Sequence, residues 1–281
     1  MTDQELSDHK RRVAGVYNLA SSGYDRSPLR FFRLVASRLV ELVDMQRGQQ
    51  ILDVATGTGA AALAAARRVG PTGRVTGVDI ATEMLAQARR NVAATDLSNV
   101  DLQEADAEAL PFQARTFDAV ICASSIFFLP EMQAGPREWT RVVKPGGRVG
   151  FSAFGATAFQ PQSDLFEARI RGYGISLPPQ KRPFGWQRLT DPGQCRMLLE
   201  GAGLRDIQVT TEQLGYHFAS AGEWWEFAWG SGFRGPLSQL SAADLERFKA
   251  EHLSEVSALA TDRGIWFDVA VIFATGRVPP E

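Results

Sequence analysis

Residues 51–62 read ILDVATGTGAAA. An apolar run meets a turn with glycines at 57 and 59, and an alanine-rich segment follows. Few arrangements satisfy that order. A short apolar run reads as a buried strand. The glycines open backbone conformations closed to other residues and let a ligand approach the main chain. The small side chains beyond them allow a helix to pack close to the strand. Gly57, Gly59 and Ala62 fit the spacing G-x-G-x-x-G/A that seats dinucleotides at the first turn of a doubly wound sheet. The glycines by themselves leave two readings open, a nicotinamide dinucleotide or another adenosine-bearing molecule.

The rest of the chain repeats the strand–helix rhythm. Strands are expected at QQILDVA, RVTGVDI, VDLQEAD, FDAVICAS and RVGFSAF, with helices between them. Thr82 is placed to cap a helix over 83–94. Lys144-Pro145-Gly146-Gly147 stops the helix before strand five. Strands separated by short helices imply a parallel, doubly wound α/β sheet. RDIQVTTEQL and WFDVAVIFATGRV read as strands six and seven, the last one antiparallel. Two helices precede the sheet, over residues 4–19 and in FFRLVASRLVELVDM, where Phe32, Val35, Leu39 and Leu42 share a face. The expected organisation is an N-terminal helical lid (1–39), a ligand-binding core (40–154), a substrate-side insertion and helix (155–203), closing strands (204–214 and 266–277), and an aromatic-rich cap insertion (215–265).

In such a sheet ligands sit outside the carboxyl ends of the strands, and three acids fall there. Asp53 ends strand one, where a carboxylate opposes a pyrophosphate but welcomes a cation. Asp79 ends strand two, placed to accept from ribose hydroxyls. Asp106 ends strand three beside the Ala107 N–H, a pair suited to the amine and a ring nitrogen of adenine. Ile80, Met84 and Leu110 are candidates to sandwich the ring. With no G-K-[ST] phosphate loop, the set describes an adenosine with a cationic tail. S-adenosyl-L-methionine fits that description, with S-adenosyl-L-homocysteine as the product.

These motifs resemble the class I S-adenosylmethionine-dependent methyltransferases, in particular the group holding the ubiquinone/menaquinone-biosynthesis and natural-product enzymes. ILDVATGTG matches the glycine motif, with Ala55 where the first glycine usually stands. VTGVDIATEML, ADAEALPF, FDAVICASSIFFL and REWTRVVKPGGRV match in order, and VYNLASSGYDR resembles the lid. The resemblance implies a seven-stranded Rossmann-like fold. It implies a cofactor site made of Tyr24, Asp53, Ala55, Gly57, Gly59, Asp79, Ile80, Met84, Asp106, Ala107 and Ala123, with Tyr24 at the methionine end and Tyr17 in a similar place.

Methyl transfer from a sulfonium has an excellent leaving group, so alignment and desolvation carry much of the rate. Relatives often carry a His-His or Arg-Asn pair after strand four; here Phe127 and Phe128 stand there, and no base is evident. His217 and Tyr24 are the catalytic candidates. Phe127, Phe128, Trp186, Tyr216, His217, Trp224 and Trp225 are candidates to line an apolar substrate pocket, and Ser124 and Ser125 stand near it. No metal site is expected. The rival functions are a non-methylating or catalytically silent binder of the same cofactor and an NAD-dependent oxidoreductase.

Composition narrows the partners. The formal net charge is -2 and the pI is near 6.0, and no basic run is dense enough for nucleic acid. Lys10-Arg11-Arg12 and Arg67-Arg68 read as solvated helix faces. Cys122 and Cys195 read as reduced thiols of a cytoplasmic protein. No apolar segment approaches the ~18 residues of a membrane span. A small-molecule substrate is therefore expected, for a monomer or homodimer.

Overall fold

The structure is a computed structural model and describes residues 2–175 and 185–280. Helix α1 (Asp3–Ala20) begins at a reciprocal cap: Glu5 N–H donates to Thr2 Oγ1 at 3.2 Å, and Thr2 N–H donates to the Glu5 carboxylate at 2.8 Å. Two short 3-10 turns, Ser21–Gly23 and Ser27–Leu29, lead into α2 (Phe31–Val43). The buried face of α2 is Phe31, Val35, Ala36, Leu39, Val40 and Val43. It is rotated from the expected stripe: Phe31 and Val43 enter the core, while Phe32 turns to stack on Tyr24 at 4.6 Å. Gly150 makes the packing of α2 on the sheet possible, since a Cβ there would lie 2.4 Å from Val43 Cγ2.

The alternating region follows as β1 (Gln50–Val54), α3 (Ala60–Val69), β2 (Arg74–Asp79), α4 (Thr82–Ala93), β3 (Val100–Glu104), β4 (Phe117–Cys122), α5 (Ala134–Val142) and β5 (Val143–Phe154). After it come α6 (Gln162–Gly172), α7 (Pro192–Glu200), β6 (Arg205–Gln213), β7 (Tyr216–Phe218), α8 (Ala221–Trp229), α9 (Arg234–Leu237), α10 (Ala242–Ser257), β8 (Ile265–Phe267) and β9 (Ala270–Arg277). The main sheet has the order β3-β2-β1-β4-β5-β9-β6, with β9 antiparallel to both neighbours and the other pairs parallel. Central strands are apolar almost throughout, because helices cover both faces. The edge strands β3 and β6 are largely exposed or half-buried.

Three further details differ from the sequence reading. Lys144-Pro145-Gly146-Gly147 lies inside β5 and not before it, since α5 ends at Val142 and the strand begins at Val143. WFDVAVIFATGRV is two strands. Asp268 interrupts it: its carboxylate accepts from Ala270 N–H, Thr157 Oγ1 and Gln213 Nε2. Ile265–Phe267 therefore pairs with Tyr216–Phe218 in a separate two-stranded sheet. Thr82 is not a cap either. Ala81 is the N-cap of α4 without a side-chain bond, and the free Glu83 N–H is taken by Asn18 Oδ1 of α1 at 3.0 Å.

The sheet order changes direction between β1 and β4, which opens a crevice at their carboxyl ends. Helix α1 lies across that crevice. Helices α6, α8, α9 and α10 enclose an aromatic cluster that includes Phe159, Phe166, Trp224, Phe227, Phe233, Phe248 and Phe267.

Candidate active site

Three strand ends bring their acids to one cavity in the crevice. Its wall includes Asp53, Ala55, Thr56, Gly57, Asp79, Ile80, Met84, Asp106, Ala107 and Ala123. The β1 turn is wound tightly, with Ala55, Gly57 and Gly59 at φ 54, 56 and 88. Thr56 N–H donates to Val78 O and Gly57 N–H to Asp79 Oδ2. Asp79 Oδ1 accepts from Ala81 N–H at 2.8 Å. Two backbone donors thus fix that carboxylate and leave further lone pairs for the cavity. Burial pushes the Asp79 carboxyl upward against those bonds.

Asp53 is fully buried, and its Oδ2 accepts from Thr56 Oγ1 at 2.6 Å. Oδ1 has no hydrogen-bond partner. The Ala62 N–H pulls on the carboxyl without meeting normal hydrogen-bond geometry. Burial pushes the group up to about 7 in spite of the Thr56 hydroxyl and this N–H. A buried carboxylate with a spare oxygen beside a cavity suits a cation.

The N-terminal segment reaches all four loops beyond β1 to β4. Asp25 accepts from Thr58 Oγ1 at 2.7 Å beyond β1, and Asn91 Nδ2 supports the same carboxylate. Asn18 holds Glu83 beyond β2. Lys10 Nζ bridges Asp106 and Glu108 beyond β3, at 2.7 and 2.6 Å. His9 Nε2 bonds Phe128 O beyond β4, at 2.9 Å. Lys10, Val13, Ala14 and Tyr17 of α1 line the cavity, with Tyr24, Phe32, Ala36, Ser125, Phe128, Leu129 and Pro130. Burial pushes the Tyr17 and Tyr24 phenols upward, so both stay protonated at neutral pH.

Residues 51–147 match a family model described as a methyltransferase domain. The aklanonic acid methyltransferase of Streptomyces sp. (strain C5) is 32% identical over 217 residues, covering 74% of this chain and 99% of its own. A demethylmenaquinone methyltransferase of Bacillus cytotoxicus is 38% identical over 220 residues, covering 71% of this chain and 90% of its own. This chain belongs to the S-adenosylmethionine-dependent methyltransferases. The fold agrees: the YcgJ protein of Bacillus subtilis superimposes with a TM-score of 0.59 at 22% identity, over 88% of this chain and 99% of that one. The methyltransferase therefore uses S-adenosylmethionine, and the residues present fit it. The orphaned Asp53 Oδ1 answers a cationic group, and the glycine turn leaves little room, since a Cβ on Gly57 would meet Met84 Cε at 3.4 Å.

Of the residues expected at the cofactor, Leu110 and Gly59 do not border the methyltransferase's cavity. Leu110 is buried, its N–H donating to Glu138 at 2.8 Å. Gly59 stands behind the turn, where it caps α3 and faces Ala88 of α4, 3.4 Å from a hypothetical Cβ. Of those expected at the substrate, Phe128 lines the cavity and the others are placed elsewhere. Phe127 is buried beneath Phe128, with ring centres 4.7 Å apart. Trp186 packs edge-on against Phe154 and Phe159. Tyr216 donates to Pro28 O and carries the Arg30 guanidinium 3.5 Å above its ring. His217 sits on β7 against the half-exposed Trp266. Trp224 is wholly buried in the cap and donates to His252 Nε2 at 2.7 Å; Trp225 stacks on Trp229. An apolar ring buried among other rings has no face left for a ligand. Ser124 is buried at φ 56, its N–H held by Ser152 Oγ.

Lys10, assigned to a solvated face, lines the cavity instead. The signal was periodic: positions 10, 13, 14 and 17 lie on one side of a helix. Among the described residues no helix is long and apolar enough to cross a membrane, and no cluster of His, Cys, Asp and Glu is placed to hold a metal ion.

Proposed function

We propose that the enzyme methylates a small, mainly apolar or aromatic molecule, and that alignment and exclusion of water supply most of the acceleration. When bound, S-adenosylmethionine supplies an electrophilic methyl group on a sulfonium. Asp53 would hold its cationic end, Asp79 its ribose hydroxyls, and Asp106 with the Ala107 N–H its adenine, between Ile80 and Met84. Tyr17, Tyr24, Phe32, Phe128 and Leu129 would form the acceptor side of the same cavity.

The carrying observation is where the histidines are. His9 bonds a loop carbonyl, His217 lies against Trp266, and His252 is buried under Trp224. None lines the cavity, and its carboxylates are the three at the strand ends. With the phenols held protonated, the wall offers positioning groups and no free general base. Aromatic side chains lining the acceptor side suit a planar or apolar acceptor. The relatives named for aklanonic acid and demethylmenaquinone support that class.

The test is calorimetric titration with S-adenosylhomocysteine, followed by transfer of a labelled methyl group to a panel of quinols, polyketide acids and phenols. Binding and transfer to an apolar ring compound are expected. Binding without transfer to any acceptor, or transfer only to highly polar acceptors, would count against the reading.

A further inference from the structure

The loop beyond β4 is a single 3-10 turn, Ile126–Phe128, which then stops. Its last carbonyls have no helical partner, as at any helix end. Here four consecutive carbonyls are nevertheless satisfied, all from outside. Arg188 Nη1 donates to Phe127 O and Leu129 O, both at 2.9 Å, and Nη2 donates to Pro130 O at 3.1 Å. His9 of α1 takes the fourth, Phe128 O. Burial and the nearby Arg188 and Arg12 charges lower the His9 pKa, so the imidazole is neutral and donates from Nε2. The turn that carries Arg188, Gly185–Arg188, also touches the wall directly. A Cβ on Gly185 would lie 2.7 Å from Phe128 Cε1, so only a bare backbone admits the ring there. On its other side the Phe128 ring meets Tyr17 of α1 edge-on at 5.2 Å.

We propose that Arg188 is a positioning residue for methyl transfer: with His9 it fixes the 127–130 segment as the cavity wall, so that the wall takes its working shape only while α1 is closed. Three carbonyls spread over four residues need several donors held in a plane, which a guanidinium provides and an ammonium does not. A cation at the end of a helical turn also matches its dipole. Phe128, Leu129 and Pro130 line the cavity, so any shift in their backbone reaches the bound molecules. The inference rests on the cavity being the cofactor site proposed above.

Amide exchange measured by mass spectrometry on the S-adenosylhomocysteine complex, together with the affinity for that ligand, tests it. In Arg188→Ala, the peptide spanning 124–133 should exchange about tenfold faster or more, given the loss of three charge-assisted bonds. The ligand should bind several-fold more weakly. Added ethylguanidinium should restore both, and Arg188→Lys should not match the wild type. His9→Ala should speed exchange in the same peptide, although the two are distant in sequence. Unchanged exchange at 124–133 in Arg188→Ala, or loss of protection across the whole chain that ethylguanidinium does not reverse, overturns the proposal. If Arg188→Ala does not fold, Arg188→Lys and His9→Ala decide by the same peptide. A wild-type protein that ignores S-adenosylhomocysteine would defeat the functional reading, while exchange in the free protein still judges the clamp.

Discussion

Lys10 of α1 donates to Asp106 at the end of β3 across 2.7 Å, and the same ammonium reaches Glu108 at 2.6 Å. One α1 side chain is thereby tied to the carboxylate proposed to read adenine. The pair is about one-quarter to one-third exposed, where an ion pair contributes roughly 0.2–1 kcal/mol. Lys10→Met should accordingly release S-adenosylhomocysteine about two- to five-fold faster, and the difference should shrink in high salt. Stopped-flow displacement checks this; an unchanged release rate would show that the pair does not latch α1.

Asp53 links cofactor binding to protons. Its free carboxyl titrates near 7, and a cationic ligand favours the ionised form. Below that pH, binding must expel a proton, so affinity should fall as pH drops, approaching about tenfold per unit. Titrations in buffers of different ionisation enthalpy should report up to one proton released. A pH-independent affinity between 5 and 8 would remove Asp53 from the cationic end.

The same group lowers stability. A carboxyl whose folded pKa lies above its unfolded value makes the folded state bind more protons, so stability falls as pH rises from about 4 to about 7. The shift corresponds to roughly 4 kcal/mol at most. Asp53→Asn should therefore match the parent near pH 4 and exceed it by up to a few kcal/mol above pH 7, while binding the cofactor poorly. Urea unfolding across that range is the measurement, and a variant weaker than the parent at pH 8 contradicts the argument.

Ala55 holds φ 54, in the left-handed region that favours glycine. The left-handed conformation costs alanine about 1–2 kcal/mol, but glycine gives back about 0.4–1 kcal/mol in unfolded-chain entropy. Ala55→Gly should therefore change stability by less than about 1.5 kcal/mol, whereas Ala55→Val should destabilise clearly, because a β-branched residue is an outlier there. Denaturant midpoints distinguish the two.

Trp224 and His252 form a buried donor–acceptor pair in the cap. Trp224→Phe leaves His252 Nε2 without its donor and should cost about 2–3 kcal/mol, with the affinity for S-adenosylhomocysteine within about twofold. A large change in affinity at unchanged stability would return Trp224 to the ligand site.

What the sequence disclosed follows from how local each signal is. The three acids at successive strand ends were legible because the strand–turn–helix pattern places them whatever the rest of the chain does. The α1 wall was legible in principle, yet Lys10 read as solvated because a charge run carries no mark of what lies opposite. Trp224 and Trp225 read as pocket residues because composition shows aromatics without showing which way they face. Asp268 dividing one apparent strand into two depends on Thr157 and Gln213, both far away in the chain. Arg188 had no signal at all: its partners are backbone carbonyls, which every residue possesses.

The position of β9 also bears on how the molecule is made. Strand β5 ends at residue 154, and the neighbour that covers its edge begins at residue 270. Strand β6 is synthesised in between and pairs with β9 alone. At about 5–20 residues per second, the ribosome delivers that neighbour on the order of ten seconds after β5. For that interval β5 presents an unpaired apolar edge, the kind of template on which nascent chains associate. The aromatic cap is synthesised within the same window, so crowded expression at high temperature should favour inclusion bodies over folded enzyme even if the finished protein is stable.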